Sequence, residues 1–308
     1  MILETIETST LQASEEGVIR LPSGATIRTS APPPAGFDPL HASDSDLTAH
    51  GLPGRPAEEA LAKPWAKMLQ HRLVQPSFQR IEQAGPSTLK GVVTTSYNFA
   101  GGTVEVPGPQ QVYINGSITV PNVFPPAGAA EGRWYSTGAF IALADNISAI
   151  RLGVQCRVMS SFGSLVRQIF PYWELTETGA YNVVGITVSP GDVLTAQIQL
   201  DMTRKTAQMA LGNDTSGAGA VFSVTSPSGS TLPAAFGHWL IEALVITGPP
   251  PFPDLARFGR VYFEGVCGAN GAAVGAGSEN LANMANSSGK TIATAVAETP
   301  YEVMVYHG

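Results

Sequence analysis

Few residues in this chain are of the types and spacings that mark an established chemistry. The five histidines, His41, His50, His71, His238 and His307, are scattered, and no pair of Cys-x-x-Cys units or His-Glu-x-x-His run offers metal-ligand spacing. No metal and no other cofactor is expected. A P-loop and a Gly-x-Ser-x-Gly elbow are also missing, which removes phosphoryl transfer of that kind and serine-elbow hydrolysis. The glycine-rich stretch around Gly265 to Asn280 lacks the strand-to-helix pattern of a phosphate cradle and reads as a hairpin loop. Cys156 and Cys267 lie 111 positions apart and form either one disulfide or two buried thiols. With no export signal visible, thiols are the favoured state. Asn-x-Ser/Thr triplets at Asn115, Asn146, Asn213 and Asn286 are expected by chance in a chain this rich in Ser and Thr.

The elements that must position any site are mostly strands. With 308 residues and 44% hydrophobic content the chain can bury a proper core. Only 13% of residues are charged, while 33 Gly and 24 Pro suit short strands joined by turns, so an all-β class is predicted. A net charge of -7 gives no phosphate-binding field, which argues against nucleic acid as a partner. The acidic N-terminus lacks the basic and apolar regions of a secretory signal, and no apolar run is long enough to span a membrane, so a soluble protein without membrane partners is expected.

Residues 1 to 94 hold 8 Lys/Arg and 10 Asp/Glu, whereas the 214 residues from 95 to 308 hold 9 and 14, so charge density roughly halves at that boundary. The first part contains an extended proline-rich connector, Ala31 to Gly36, and one amphipathic helix, kinked near Pro64, from Pro56 toward Val74. Its stripe of Leu61, Trp65, Met68, Leu69 and Val74 must dock, either on the neighbouring domain or as a propeptide-like cover or partner-binding arm. Beyond residue 95 the period becomes two. Ile150, Leu152, Val154, Cys156 and Val158 fall on one face, Arg151, Gly153, Gln155 and Arg157 on the other. Similar runs at Gln111 to Val120, Gly185 to Val188, Val193 to Leu200, Ala220 to Val224, Trp239 to Thr247, Arg260 to Glu264 and Glu302 to Tyr306 predict a sandwich or barrel.

Several segments in order resemble the glutamic peptidases, or eqolisins (peptidase G1/A4). Asn98 to Gly102 looks like the start of a mature member, and Ile118 to Val123 like its next strand. Gly138 to Leu143 is similar to the family's small-Ala-Trp-Val-Gly-Ile strand, with Phe140 for Trp, and Ala149 to Val154 resembles its Ala-Ile-Leu-Gln-Thr-Gly strand. Tyr172-Trp173-Glu174 followed by Val184 to Asp192 is similar to a Tyr-Glu-Trp and Gly-Ile-Thr-Ile-Ser-x-Gly-Asp pair. His238-Trp239-Leu240-Ile241-Glu242 looks like the strand that carries the essential Glu, and Phe258 to Cys267 like the closing strands. The resemblance implies a two-sheet antiparallel, concanavalin A-like β-sandwich over residues 95 to 308, a peptide or protein substrate, and relatives that are usually secreted.

It also implies roles. Glu242 takes the place of the essential Glu, and Glu174 that of a secondary acidic residue. Anchored on Gly153, the partner Gln falls on Arg151; anchored on Ala149-Ile150 it falls on Leu152, which faces the other side. The first register is preferred because it leaves a polar group on the open face. Gln155 shares that face but lies four residues along, ~13 Å at strand rise, and Gln168 could approach only through an insertion. In the family's reaction a Glu takes a proton from the attacking water and an amide steadies the oxyanion. Arg151 would offer charged N–H donors instead, and would pull the Glu242 carboxyl down and make it a weaker base. The readings carried forward are a glutamic peptidase or divergent hydrolase with Glu242 and Arg151, a non-catalytic module that holds a peptide or saccharide through Tyr172, His238, Glu174 and Phe140, and a structural or assembly protein.

Overall fold

In a computed structural model the described residues are 10–11, 17–57, 59–81, 94–109, 112–203, 205–227, 230–243, 255–286 and 288–308. They form two stacked antiparallel sheets. The first sheet runs, from one edge to the other, through Thr10–Leu11, Ser77–Ile81, Gly179–Val184, Ser164–Leu175, Ala149–Ser161, Tyr135–Ala144, Phe236–Glu242, Phe99–Glu105 and Asn280–Ala285. The second is centred on Ala218–Thr225, Thr206–Asn213, Val193–Asp201, Tyr113–Thr119 and Arg260–Ala269. Glu302–His307 and Thr291–Thr299 extend it on one side, Thr26–Thr29 and Val18–Arg20 on the other. Asn280–Ala285 pairs into both sheets, with Phe99–Glu105 in the first and Thr291–Thr299 in the second.

Strand alternation sorts the side chains as the sequence pattern predicts. Ile150, Leu152, Val154 and Cys156 join Ile141, Trp173, Trp239 and Phe263 in the core between the sheets. Trp239 is fixed there by its indole N–H, which donates to the Asn115 carbonyl at 2.8 Å. Its ring needs two glycines: a Cβ at Gly265 would lie 2.2 Å from Trp239 Nε1, and one at Gly116 3.0 Å from it. This lock matters for the opposite face, because His238, Leu240 and Glu242 alternate with Trp239 and Ile241 on one short strand.

Residues before 95 contribute to both sheets: Ser77–Ile81 pairs with Gly179–Val184, and Thr26–Thr29 with Ala218–Thr225. The predicted amphipathic helix runs Glu59–Leu69, with Pro64 inside it, and buries Leu61, Trp65, Met68 and Leu69. Trp65, Met68 and Leu69 pack with Ala210 and Val221 of the second sheet. A charged clasp adds to this contact. His71 donates from Nε2 to Asp214 at 2.8 Å and from Nδ1 to the Met68 carbonyl at 2.9 Å, so both ring nitrogens face acceptors and the imidazolium is the fitting state. Lys67 and Thr195 complete it, at 2.5 Å and 2.9 Å from the Asp214 carboxylate.

Two sequence expectations need correction. Gly185 to Val188 is not a strand; the strand is Gly179–Val184, and Gly185 ends it with φ 113. The helix stops at Leu69, so Val74 lies beyond it, and Arg72–Leu73 instead forms a parallel pairing with Ala218 and Gly219. Of the run Trp239 to Thr247, the strand reaches Glu242 and positions 244–247 lie outside the described residues. The glycine-rich stretch does contain a hairpin, Arg260–Ala269 with Ala272–Gly275, turning at Asn270 and Gly271 with φ 54 and 81. Cys156 and Cys267 are free buried thiols. Among the described residues no helix is long and apolar enough to cross a membrane, and no group of three or more His, Cys, Asp or Glu is placed to hold a metal.

Candidate active site

The face of the first sheet turned away from the core carries the candidate site residues. Strand pairing sets its side chains on rungs. One rung carries Glu174, Arg151, Ala142, His238 and Thr103 in order across five strands. The next carries Tyr172, Gly153, Phe140, Leu240 and Gly101, and the third Phe170, Gln155, Gly138, Glu242 and Phe99. Small residues lie between large ones. Gly153 is needed where it stands, because a Cβ there would meet the Ala139 carbonyl oxygen at 2.2 Å and Phe140 Cα at 2.6 Å.

Arg151 is the hub. Its Nη1 donates to Glu174 Oε2 at 3.0 Å and lies 3.5 Å from Glu242 Oε2, reaching diagonally across one rung. The guanidinium sits over the Phe140 ring, 5.3 Å from its centroid, and Tyr172 meets that ring edge-on at 6.4 Å. On the neighbouring strand His238 Nδ1 shares a 3.0 Å hydrogen bond with Thr103 Oγ1. Phe140, Arg151, Tyr172, Glu174, His238 and Glu242 are thus all brought to one face, and all are buried, at 1% exposure or less. The open face expected from the sequence is therefore closed over these side chains.

Enclosure dominates their proton affinities. Burial pushes the Glu242 carboxyl up to about 7; the attraction of Arg151 opposes this and the nearby Glu174 adds to it. This reverses the expectation of a Glu242 carboxyl pulled down by Arg151. The cation's hydrogen bond goes to Glu174, and at 3.5 Å its pull on Glu242 does not match the cost of removing a carboxylate from water. Burial, with Arg151 nearby, drops His238 to about 3, so its ring is neutral. Burial likewise raises Tyr172 well above its ordinary value and keeps the phenol protonated. For Arg151, burial alone would weaken the guanidinium, but Glu242 and Glu174 hold it charged.

Tyr172 Oη, Glu174 Oε1, His238 Nε2 and Glu242 Oε2 are buried with no hydrogen-bond partner among the described residues. Each such group costs about 1–3 kcal/mol to leave unmade. Trp173 in the core also leaves its Nε1 without a partner among the described residues, but these four share one face, as a site for a polar reactant would need.

The two glutamines set aside in the sequence occupy different places. Gln168 pairs opposite Arg157 on an exposed part of its strand, one rung beyond the three described. Gln155 is fully buried and falls on the rung of Glu242 itself. Thr103, the partner of His238, was not singled out from the sequence; its strand has glycines at Gly101 and Gly102, which hide the alternation.

With this geometry in place, the comparisons with known proteins are specific. A model of the Peptidase A4 family matches residues 97–307. The fold is similar to that of scytalido-glutamic peptidase bound to a transition state analog inhibitor, at TM-score 0.55 and 16% identity, covering 70% of this chain and 100% of that one. It is also similar to SCP-B, a member of the eqolisin family in a complex with the tripeptide Ala-Ile-His, at TM-score 0.52 and 15% identity with the same coverage. Comparison with curated proteins gave no match.

Proposed function

The chain belongs to the Peptidase A4 family, and from that premise we propose that it is a glutamic-type peptidase relative with an altered pair, Glu242 as general base and Arg151 where relatives carry Gln. The observation that carries this reading is Glu242 itself. Its Oε2 is buried, has no hydrogen-bond partner among the described residues, and lies 3.5 Å from a fixed cation.

In the reaction, the Glu242 carboxylate takes a proton from water as the water oxygen bonds to the peptide carbonyl carbon and the carbonyl electron pair moves onto its oxygen. N–H donors beside Glu242 hold that oxyanion. The proton then passes from Glu242 to the amide nitrogen, the C–N bond breaks, and a carboxylic acid and an amine leave. A carboxyl that titrates near 7 suits both halves, since it can take a proton and return it. Tyr172 and Glu174 flank the reacting region, and His238, neutral, supplies a polar edge on the far side of Ala142. Because these side chains are closed to solvent, turnover requires that this face open to admit a peptide.

One observation favours a second reading. Arg151 lies against both carboxylates, as in an ion cluster of a non-catalytic module that binds a peptide or saccharide. Activity decides between them. Peptide hydrolysis measured across pH should be lost on Glu242→Gln. Low-pH cleavage should be weak in the native chain, where Glu242 is protonated, and Arg151→Gln, which removes the one attraction that opposes burial, should move the acid limb of the pH profile to higher pH. Hydrolysis that survives Glu242→Gln would reject Glu242 as the base and leave the binding reading.

A further inference from the structure

The hairpin that joins Ala149–Ser161 to Ser164–Leu175 outruns its sheet. Pairing with Tyr135–Ala144 ends at Val158, and pairing with Gly179–Val184 begins only at Tyr172, so Met159 to Val166 project as a two-stranded ribbon. Its turn carries strain. Phe162 and Gly163 form the two-residue loop with φ 49 and 78, a left-handed conformation that disfavours a side chain as bulky as Phe. Packing does not offset this, because Phe162 is 97% exposed.

Apolar exposure is concentrated at this end of the molecule. Among the described residues nine large hydrophobic side chains are exposed, and four of them lie here: Phe124 at 36%, Phe162, Leu165 at 45% and Val166 at 36%. Phe124 belongs to the group because its ring lies 4.9 Å from the Arg167 guanidinium on the ribbon. Chance scatter would not gather them. By alternation Leu165 and Val166 point to opposite faces of the ribbon, and Phe162 crowns it, so apolar groups face every side of the tip. A protein surface covers one side of such a projection. A bilayer interface surrounds it.

Charge is sorted in the same sense. From Val158 to Val166 the chain carries no charge, and the residues on either side are Arg157 and Arg167. Arg167, Arg133 and Arg257 are exposed cations at the base of the ribbon. Arg167 Nε donates to the Val123 carbonyl at 3.0 Å, Arg257 Nε donates to the Pro125 carbonyl at 3.1 Å, and Arg133 lies 5.9 Å from the Tyr135 ring centroid. Glu131, an acid beside the turn, is occupied by the Phe162 N–H, which donates to it. In a chain of net charge -7 this sets a basic collar behind an uncharged apolar tip. An insertion depth of ~5–10 Å takes in two or three residues of each strand at ~3.4 Å rise. That depth covers Phe162, Leu165 and Val166 and leaves the arginines outside.

We propose that this hairpin tip docks the protein reversibly on a lipid bilayer containing anionic lipids. Phe162, Leu165 and Val166 enter the interface, and Arg133, Arg167 and Arg257 meet the headgroup phosphates. The contact is peripheral. It departs from the expectation of no membrane partner, which rested on the lack of a spanning segment, and it does not depend on the reading of Glu242.

The test is co-sedimentation of the full chain with vesicles of phosphatidylcholine and phosphatidylglycerol, beside vesicles of phosphatidylcholine alone. The mixed vesicles should bind it, and binding should fall steeply between ~0.05 and ~0.5 M salt as screening shortens the reach of the arginines. Phe162→Asn should weaken binding by about tenfold or more. It should also leave the urea midpoint unchanged or higher, because Asn before Gly163 suits a left-handed turn. A residue kept for packing would show the reverse. Arg167→Gln should lower affinity about fivefold. Phe162→Trp should add an emission that moves to shorter wavelength when mixed vesicles are present. No binding to the mixed vesicles, equal binding to both kinds, or binding that survives Phe162→Asn would each overturn the proposal. A dimer in solution that Phe162→Asn dissolves, with no vesicle binding, would overturn it in favour of a second copy of this chain.

Discussion

Replacing Glu242 with Gln should reveal in stability the proton that the proposed reaction would use. An unfolded Glu titrates near 4.5 and the enclosed Glu242 near 7. The folded state therefore binds the proton more tightly, and between those two values it holds a proton that the unfolded chain has lost. Stability then falls as pH rises through that window, since the slope follows the difference in bound protons. At about 1.36 kcal/mol per pH unit of difference, the loss is on the order of 3 kcal/mol, complete above about pH 7. Gln is neutral at every pH and close in shape to the protonated acid. Glu242→Gln should therefore match the native protein near pH 4.5 and exceed it by up to about 3 kcal/mol at pH 8. The assay is urea unfolding of both proteins from pH 4.5 to 8.5, read as the difference in free energy, so that other titrating groups cancel. The opposite slope, with the native protein gaining on the variant as pH rises, would show that Arg151 wins over burial and that Glu242 is an ordinary ion-pair partner. A flat difference would mean that the carboxyl is hydrated, and the argument from enclosure would fail.

Two further outcomes follow from contacts outside that pair. The clasp between the N-terminal helix and the second sheet depends on a His71 held above its ordinary 6.5, since Asp214 and the Met68 carbonyl outweigh burial, and on an Asp214 held below 3.8 by His71 and Lys67 against burial. Its contribution is present below pH 6.5 and is lost as pH rises through the folded His71 value; it is also present above pH 3.8 and is lost as pH falls through the folded Asp214 value. The deficit of His71→Ala, about 1.5–3 kcal/mol for a charged hydrogen bond, should be largest near pH 5 in denaturant titrations and should shrink toward pH 9; a deficit independent of pH would assign His71 to packing alone. Gly153→Ala places a methyl against the Ala139 carbonyl oxygen and the Phe140 backbone, so calorimetry should show a loss of about 1–3 kcal/mol, and peptide hydrolysis should fall with it because Phe140 carries the Arg151 guanidinium.

Much of the fold was legible because a strand with one buried face writes period two into its sequence. Ala149–Ser161 shows this in full, and Arg151 could be placed on the face opposite Leu152 from alternation alone. Where the apolar signal was not strand-specific, the reading slipped. Gly185 to Val188 has the β-branched composition of a strand, yet a positive φ at Gly185 turns the chain out of the ladder, and Ile186 is buried without pairing. The glycines of Phe99–Glu105 hid Thr103 for the same reason in reverse: the backbone is a strand, but a run without side chains has no period to read.

The site was less legible, and the reason is geometric. Alternation along one strand gives the face of a residue, while its height relative to residues on other strands is set by register, which depends on pairing. From the sequence, Gln155 could only be measured against Arg151 on its own strand, where four residues separate them. Pairing through Gly138 measures it against Glu242, where nothing but a glycine intervenes. The charge state of Glu242 escaped for a parallel reason. A sequence shows that an arginine can lie near a glutamate, and that contact alone argues for a lowered carboxyl. Only the structure shows that Glu174 takes the hydrogen bond of that arginine and that Glu242 has 1% of its side chain in reach of water. Once the partner is shared and the solvent is gone, removal from water decides the sign, and the Glu242 carboxyl holds its proton up to near neutral pH.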